Sequence, residues 1–439
     1  MSHITIAGLG PGSAGLRTVE TARAISDASA IVLRTAIHPG IEDLIADGRV
    51  VSCDDIYESS HSFEAVYAQI AERVVSKADL GDVLYLTPGH PSYGERVTPL
   101  ILELAEMRGH SWTILVSVSA FDAIAVALQI DLMAEEPQSI DATTLASALD
   151  QEPFAAGIVD LSPTRPILVT QVFNRDMASA TKLTLNRLFP ESHEVIVVKS
   201  AGLREQLIDR IPLHRLDRID VDHLTSVWIP ASDPLSSTQT VSSLLRIAAR
   251  LRAPGGCPWD REQTSLSLLP PLLEEAYEVV EAIESGDAAH SSEELGDLLL
   301  HVVMQSQIAE EEGLFNINDV ADHITTKLIR RHPHVFADVS AESSDDVLGV
   351  WQRIKAAERA ENDKPPRPDH PVDRYPQSMP VARRLHDLNG THVQSGSNLS
   401  EHELGDQLFA ATQSAIVAGY DPERLLLEAA RRSIPSSNE

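Results

Sequence analysis

Residues 272–303 carry a set of acidic side chains whose types and spacing could hold a metal ion. On a helix of about 3.6 residues per turn, Glu275 lies at the edge of the apolar face, and Glu278 lies one step further round. Glu294 and Asp297, three residues apart, lie on one stripe of a following helix. The pattern therefore predicts a helical hairpin that brings these four carboxylates together at the border of its core.

The turn of this hairpin is predicted from the segment ESGDAAHSS, which follows a helix at 272–284. Gly, Asp and Ser residues favour turns and helix starts. Ser291 or Ser292 is the expected N-cap of the second helix.

Four carboxylates at the border of a core repel one another. Each close pair costs up to about 4 kcal/mol at an effective dielectric of about 20. A hard divalent cation removes this cost, and Mg²⁺ both prefers oxygen ligands and bridges carboxylates to substrate phosphates. The alternative is a set of solvated glutamates on a helix surface. The apolar backing and the short turn favour the metal site.

A local basic cluster is informative in a chain whose formal net charge is -30. The segment KLIRRHPHVF supplies Lys327, Arg330 and Arg331 at helical spacing. Trp351 and Lys355 lie four residues apart on one face of a later helix. Lys and Arg can contact phosphates, and a Trp ring can stack on a base. The alternatives are ordinary exposed cations and a Trp that caps a core.

Four motifs, in their order and spacing, resemble the MazG family of nucleoside triphosphate pyrophosphohydrolases: GGCPWDREQT, LLEEAYEVVEAI, EELGDLLLHVV and KLIRRHPHVF. The resemblance covers residues 241–361. It implies an all-α fold that dimerises into helical bundles. It also implies hydrolysis of an NTP or dNTP to the monophosphate and pyrophosphate with Mg²⁺, or Mn²⁺ in its place.

The same resemblance implies roles for residues of this chain. The implied metal ligands are Glu275, Glu278, Glu294 and Asp297. The implied catalytic residues are Glu274, which either supports the metal ligands from outside or orients water, Glu275, and the phosphate-contacting Lys327, Arg330 and Arg331. The implied nucleotide-binding residues are the same three cations together with Trp259, Trp351 and Lys355. Phosphoryl chemistry needs charge neutralisation and positioning more than a covalent nucleophile, so no Ser or Cys nucleophile is required.

The first half of the chain alternates between strands and helices, which predicts an α/β domain over residues 1–230. Strands are predicted at 3–8, 30–34, 82–92 (with its terminal loop), 111–116, 166–172, 193–200 and 224–231. The loop GLGPG follows the first strand, but its even glycine spacing is not the dinucleotide fingerprint. A tight strand-to-helix turn is the alternative.

Four further motifs resemble the tetrapyrrole (corrin/porphyrin) methylase family: ITIAGLGPGSAGLRTVETARAI, DVLYLTPGHPSYGE, ILVSVSAFDAIAVAL and PILVTQV. The resemblance implies two α/β lobes with S-adenosylmethionine in the cleft between them. The residues implied to line that cleft are Gly10, Pro11, Gly12, Pro88, Gly89, His90, Ser117, Ser119 and Gln171.

Two alternatives to a pyrophosphohydrolase alone therefore remain open. The first is a bifunctional protein whose N-terminal domain also methylates a small molecule. The second is a nucleotide-sensing scaffold without catalytic activity.

The predicted domain organisation is multidomain. It comprises the methylase-like domain at 1–230, a linker at 231–240, the MazG domain at 241–361, a Pro-rich linker at 362–380 and a degenerate MazG-like helical module at 381–439. The last module repeats the Glu-Leu-Gly-Asp motif of 294–297 at 403–406. Nothing upstream of it matches the acidic residues Glu275 and Glu278. The place of that first helix is taken by GTHVQSGSNLS at 390–400, a sequence with low helix propensity.

The composition of this chain of 439 residues limits its possible partners, disulfides and cellular location. The 65 acidic and 35 basic residues disfavour duplex nucleic acid or an anionic membrane as the partner. Two cysteines, Cys53 and Cys257, cannot form a disulfide framework. The N-terminus lacks signal-peptide regions and no apolar run is long enough to span a bilayer. A cytoplasmic protein acting on NTP or dNTP, and forming a homodimer or a higher homo-oligomer, is expected.

Overall fold

A computed structural model describes most of the chain. The described residues are 2–60, 62–151, 160–337, 339–341, 343–361, 370–389 and 400–433. They form two compact units, Met1–Ile317 and Asn318–Glu439.

The first unit begins with a five-stranded parallel sheet in the order β3-β2-β4-β1-β5. Its strands are β1 (His3–Gly8), β2 (Ile31–Leu33), β3 (Val50–Ser52), β4 (Val83–Thr87) and β5 (Ser111–Ile114). Its helices are α1 (Val19–Asp27), α2 (Glu42–Ile45), α3 (Asp54–Ser59), α4 (Phe63–Ala78), α5 (Val97–Arg108) and α6 (Ala120–Leu128). Val66, Ile70 and Val74 recur at intervals of one helical turn, so α4 buries one continuous face against the core.

A second five-stranded sheet has the order β6-β7-β10-β8-β9. Its strands are β6 (Gln138–Asp141), β7 (Ile167–Thr170), β8 (Glu194–Lys199), β9 (Leu207–Pro212) and β10 (Thr225–Ile229). The accompanying helices are α7 (Leu132–Glu135), α8 (Ala142–Gln151) and α9 (Arg175–Leu185). Only β6 and β7 pair in parallel, and β10 pairs antiparallel with both β7 and β8.

All seven predicted strands are confirmed, whereas β3, β6 and β9 are absent from the sequence prediction. These three strands all lie at sheet edges. β6 has the polar sequence QSID, and β9 exposes its first four residues. Short or polar edge strands lack the apolar run that marks a strand in sequence.

The rest of the first unit is helical. Its elements are α10 (Val241–Arg252), α11 (Pro258–Glu262), α12 (Leu269–Ser285) and α13 (Ala288–Glu311). Their core consists of Ala248, Leu268, Val303, Met304 and Ile308. The fully buried residues of α13 in this core, Val303, Met304 and Ile308, lie in its second half, so its first half is less buried.

The second unit is also helical. Its elements are α14 (Ile317–Arg331), α15 (Pro333–Phe336), α16 (Ser344–Glu361), α17 (Val381–Asn389), α18 (Glu401–Val417) and α19 (Pro422–Ser433). Short 3-10 helices lie at Ala14–Leu16, Leu213–Arg218 and Pro371–Arg374. The predicted fold class, an α/β domain followed by a helical region, is confirmed.

The repeated Glu-Leu-Gly-Asp motif lies in the first two turns of α18, and its Glu403 forms a capping box with Ser400. The segment predicted to be poor helix material lies outside the described residues from 390 to 399, as do residues 362–369 of the Pro-rich linker. Among the described helices, none combines the length and the apolarity needed to cross a bilayer.

Candidate functional site

The acidic residues lie on α12 and α13, which form a helical hairpin with a two-residue turn. α12 ends at Ser285, and Gly286 has a left-handed φ of 74°. Glycine adopts this conformation at little steric cost. Asp287 then caps α13, because its side chain accepts hydrogen bonds from the backbone N–H groups of Ala289 and His290. The turn places the first turns of α13 beside the last turns of α12.

The predicted N-cap at Ser291 or Ser292 is wrong. Both serines lie inside α13, and the Ser291 hydroxyl donates to the Asp287 carbonyl at 2.8 Å. Asp and Ser are comparable N-caps, so residue type alone does not decide between them. The position of Gly286 makes Asp287 the N-cap, because this glycine terminates α12 directly before Asp287.

Glu275, Glu278 and Glu294 each place a carboxylate oxygen within 4.8 Å of the other two. We call these three residues the carboxylate trio. Glu275 and Glu294 are half-buried, whereas Glu278 is exposed. The trio includes three of the four predicted metal ligands. Asp297 falls outside it, and Glu274 is exposed on α12.

The electrostatics of the trio disfavour its fully ionised form. Burial, followed by the charges of Glu278 and Asp297, raises the pKa of the Glu275 carboxyl above its ordinary value. Asp297 therefore lies near enough to act on Glu275, although it does not join the trio. The Nδ1 atom of His290 lies 3.3 Å from Oε1 of Glu294, one turn along α13. A cation at the trio would relieve the repulsion that the two helices impose.

The predicted phosphate-contacting residues belong to the second unit, at the end of α14. Arg331 forms an ion pair with Glu358 of α16, with 2.5 Å between Nη2 and Oε2. Its Cζ lies 5.7 Å from the centroid of the Trp351 ring, and Nζ of Lys355 lies 4.3 Å from the same centroid. The structure thus brings Arg331, Trp351 and Lys355 together. The roles of these residues, and those of Lys327 and Arg330, stay predictions.

Trp259 lies in the first unit, on α11, with 62% of its surface exposed. A large ring so exposed is not part of the core. Its implied contact with a nucleotide stays a prediction.

The loops after β1, β4 and β5 share one edge of the first sheet, where parallel strands place their carboxyl ends. Gly10 donates to the Gly89 carbonyl at 3.1 Å, and Gly89 donates to the Gly10 carbonyl at 2.9 Å. The hydroxyl oxygen of Ser117 accepts from the N–H of Gly8 at 2.9 Å. The segments that carry the predicted cleft residues Gly10, Pro11, Gly12, Pro88, Gly89, His90, Ser117 and Ser119 therefore meet.

The second lobe contributes Gln171, which follows β7 and has a left-handed φ of 59°. A Cβ atom on Gly94 would lie 3.1 Å from its Nε2 atom, so Gln171 reaches the loop after β4. Ser119 caps α6 in a capping box with Asp122. The cleft prediction thus names residues from both lobes that lie near one another, and S-adenosylmethionine binding there stays a prediction.

Two family descriptions match the chain. The tetrapyrrole (corrin/porphyrin) methylases match residues 3–217, and the MazG nucleotide pyrophosphohydrolase domain matches residues 263–336. The protein YabN of Bacillus subtilis (strain 168), described as uncharacterised, is 37% identical over 384 residues, which are 86% of this chain and 74% of YabN. The chain belongs to the family that joins a tetrapyrrole methylase domain to a MazG domain.

Other relatives match a smaller share of this methylase–MazG protein. A nucleoside triphosphate pyrophosphohydrolase of Escherichia coli (strain K12) is 48% identical over 145 residues, 33% of this chain and 54% of that protein. The nucleoside triphosphate pyrophosphohydrolase/pyrophosphatase MazG of Thermotoga maritima is 37% identical over 213 residues, 44% of this chain and 81% of the relative. The chain thus spans about half the length of the E. coli relative.

Solved structures match the methylase part. One is uroporphyrin-III C-methyltransferase from Thermus thermophilus complexed with S-adenosyl homocysteine, with 16% identity and a TM-score of 0.40. The match covers 52% of this methylase–MazG chain and 97% of the Thermus chain.

The structure of this methylase–MazG protein also places polar residues near the cleft loops that sequence reasoning missed. His38 is 8% exposed, and its Nε2 atom is buried with no hydrogen-bond partner among the described residues. Burial lowers the pKa of its imidazole to about 4.

Arg34 pairs with Glu95, whose side chain is 1% exposed and also accepts from the Thr87 hydroxyl. No local motif marks these residues, because strand order alone brings positions 34 and 95 together.

Proposed function

We propose that this protein is a divalent-cation-dependent nucleoside triphosphate pyrophosphohydrolase that uses Mg²⁺ or Mn²⁺. The observation that carries the proposal is the carboxylate trio, with its oxygens within 4.8 Å of one another. The membership of the chain in the methylase–MazG family supports it. The nucleotide class, NTP or dNTP, comes from the names of the relatives.

The donor set fits a hard cation. Carboxylate oxygens are the ligands that Mg²⁺ and Mn²⁺ prefer. Burial, followed by the charges of Glu278 and Asp297, raises the pKa of Glu275, which supports a site that favours a bound cation. We propose that Glu275, Glu278 and Glu294 hold the cation and that Asp297 completes the set. The cation supplies charge neutralisation at the phosphates of the substrate.

The reaction breaks the bridge between the α- and β-phosphates of the nucleotide. Water adds its oxygen to one phosphorus, the bridging P–O bond breaks, and the products are a nucleoside monophosphate and pyrophosphate. Glu274, which is exposed and precedes Glu275 on α12, orients that water and accepts its proton. Lys327, Arg330 and Arg331 contact the phosphates through charge-assisted hydrogen bonds.

The experiment is an assay of pyrophosphate release from a panel of NTPs and dNTPs with added Mg²⁺ or Mn²⁺. Glu275→Gln and Asp297→Asn keep the side-chain volumes and remove one charge each. We expect both variants to lose at least about 100-fold in rate, since charge neutralisation is the main catalytic term. Full activity in both variants would refute the metal-site assignment, and product-free binding of nucleotide by the wild type would favour the scaffold alternative.

We further propose that the protein forms a homodimer through the hairpin. α12 exposes Leu273, Tyr277 and Val280 at helical spacing, and α13 exposes Leu295 and Leu299. Several exposed large apolar side chains on one helical hairpin are typical of an interaction surface. Light scattering after gel filtration tests the proposal, and Val280→Glu is expected to shift the mass towards the monomer. A cytoplasmic location stays a prediction.

The second candidate function is methyl transfer from S-adenosylmethionine by the N-terminal domain. The specific observation is the mutual hydrogen bonding of Gly10 and Gly89, which holds two glycine-rich loops together at the carboxyl edge of the sheet. Isothermal titration with S-adenosylmethionine tests it. Absence of binding would remove this function and leave the pyrophosphohydrolase proposal untouched.

A further inference from the structure

Arg331 and Glu358 form a side-on pair inside the second unit. Nε of Arg331 lies 3.1 Å from Oε2 of Glu358, and Nη2 lies 2.5 Å from the same oxygen. The two side chains are only 19% and 14% exposed. The guanidinium of Arg331 also holds the pKa of the Glu358 carboxyl below its ordinary value. Glu358 is therefore an ionised, partly shielded partner and not a freely rotating surface glutamate.

The side-on geometry engages one edge of the guanidinium. Arginine carries five N–H donors in a planar fork, and the Nε–Nη2 edge can be satisfied while the terminal Nη1–Nη2 edge serves another acceptor. A phosphate takes two parallel N–H···O bonds from such an edge. The pair with Glu358 thus fixes the plane of Arg331 without using its Nη1 donors.

A second contact fixes the same group. The Cζ of Arg331 lies 5.7 Å from the centroid of the Trp351 ring, while Nζ of Lys355 lies 4.3 Å from that centroid. Trp351, Lys355 and Glu358 occur at intervals of four and three residues, so they lie on one face of α16. One helix face therefore orients two cations at once.

We propose that Glu358 is a positioning residue that orients Arg331 for a phosphate group of the triphosphate substrate. The proposal rests on the proposed function, which assigns Arg331 to phosphate contact. An arginine held in its binding orientation loses less side-chain entropy when the ligand arrives than an arginine that must be ordered. The alternative role for Glu358 is a counter-ion that the phosphates must displace, and the two roles predict opposite changes in KM.

The experiment is a double-mutant cycle with Glu358→Ala, Arg331→Ala and the double variant, read out as kcat and KM for pyrophosphate release. We expect Glu358→Ala to raise KM about tenfold and to change kcat by less than about twofold, since ground-state positioning is lost. In the Arg331→Ala background the same change is expected to have a much smaller effect, limited to the contact of Glu358 with Arg330, whose Nε lies 3.9 Å from Oε1 of Glu358. Glu358→Gln keeps one acceptor oxygen and is expected to recover part of the loss.

A binding measurement separates positioning from packing. Titration calorimetry with magnesium tripolyphosphate as the probe is expected to show the same about tenfold weakening for Glu358→Ala. Thermal unfolding of each variant reports whether it folds. If Glu358→Ala does not fold, Glu358→Gln is used in its place.

The chain offers a matched control. Arg431 makes the same kind of side-on pair with Asp373, with Nε 3.1 and 3.2 Å from the two oxygens and Nη2 2.6 Å from Oδ1. Asp373→Ala breaks this pair in the same unit and is expected to leave KM and tripolyphosphate binding unchanged.

An unchanged or lowered KM in folded Glu358→Ala would overturn the proposal, and a lowered KM would assign Glu358 as the displaced counter-ion. The proposed function fails separately. If Glu275→Gln is as active as the wild type, the metal-site assignment is wrong, whereas an inactive Glu275→Gln with an unaffected Glu358→Ala refutes only this inference.

Discussion

Gly8 and Gly89 approach so closely that a Cβ atom on Gly8 would lie 2.1 Å from the carbonyl oxygen of Gly89. The same carbonyl accepts the N–H of Gly10, so it cannot move without loss of the bridge between the two loops. The absence of a side chain at Gly8 is therefore a condition for the assembly of the cleft edge.

We expect Gly8→Ala to destabilise the protein and to abolish binding of S-adenosylmethionine. The added methyl group overlaps backbone, which no rotamer change can relieve, and overpacking of this kind costs about 1–3 kcal/mol. Chemical denaturation and titration calorimetry measure the two effects. Gly48→Ala is the control, because a Cβ atom there meets nothing within 4 Å. Wild-type binding by folded Gly8→Ala would show that the bridge does not shape the cleft.

We expect Glu278→Gln to stabilise the metal-free protein and to reduce its stabilisation by Mg²⁺. The substitution removes one of three close negative charges, and at this exposed position the relief is about 1 kcal/mol. The cation loses a ligand at the same time. Thermal unfolding with and without Mg²⁺ measures both effects. Glu281→Gln, exposed on the same helix but outside the trio, should change neither. A destabilised metal-free Glu278→Gln would contradict the repulsion that the structure implies.

The affinity for Mg²⁺ or Mn²⁺ is expected to rise with pH through the raised pKa of Glu275. Burial and the charges of Glu278 and Asp297 keep a proton on this carboxyl to a higher pH than usual, and a cation must displace that proton. Calorimetric titrations at about pH 5 and about pH 8 measure the change. Glu275→Gln should bind more weakly with a flatter pH profile. An equally steep profile in that variant would assign the pH dependence to another group.

The sequence pattern predicts that the residues of the carboxylate trio lie close together. It does not predict the turn between α12 and α13 correctly. Helical spacing places Glu275 and Glu278 on adjacent positions of one helix, and the short connection brings Glu294 beside them. The choice between Asp287 and Ser291 as N-cap depends on where α12 ends, which is decided by Gly286. Residue preferences for caps are too similar to settle such a choice.

Local sequence patterns do not predict polar contacts between residues that lie far apart in the chain. Arg34 and Glu95 are 61 positions apart and meet only because β2 lies next to β4 in the sheet. No local pattern marks Glu358 either, since its partner Arg331 lies on a different helix, 27 positions away. Edge strands such as β9 were missed because their exposed residues carry no apolar run.

The stability of the protein is expected to fall as pH decreases from about 6.5 towards about 4, in part because of His38. Burial, together with the charges of His223 and Arg17, lowers the pKa of His38 to about 4 from an ordinary value of 6.5. The unfolded chain therefore takes up a proton first, so the stabilising contribution is complete above about pH 6.5 and is lost as pH falls through the folded pKa. The shift corresponds to about 3 kcal/mol.

Urea denaturation of wild type and His38→Gln across this pH range isolates the contribution, because glutamine does not titrate. The difference in the free energy of unfolding between the two proteins should shift in favour of His38→Gln as pH falls, since only the wild type must release a proton from an imidazole, or bury the charged ring, when it folds. His402→Gln is the control, because its side chain is 90% exposed and gains no burial on folding. Parallel pH profiles for wild type and His38→Gln would show that folding does not lower the pKa of the His38 imidazole.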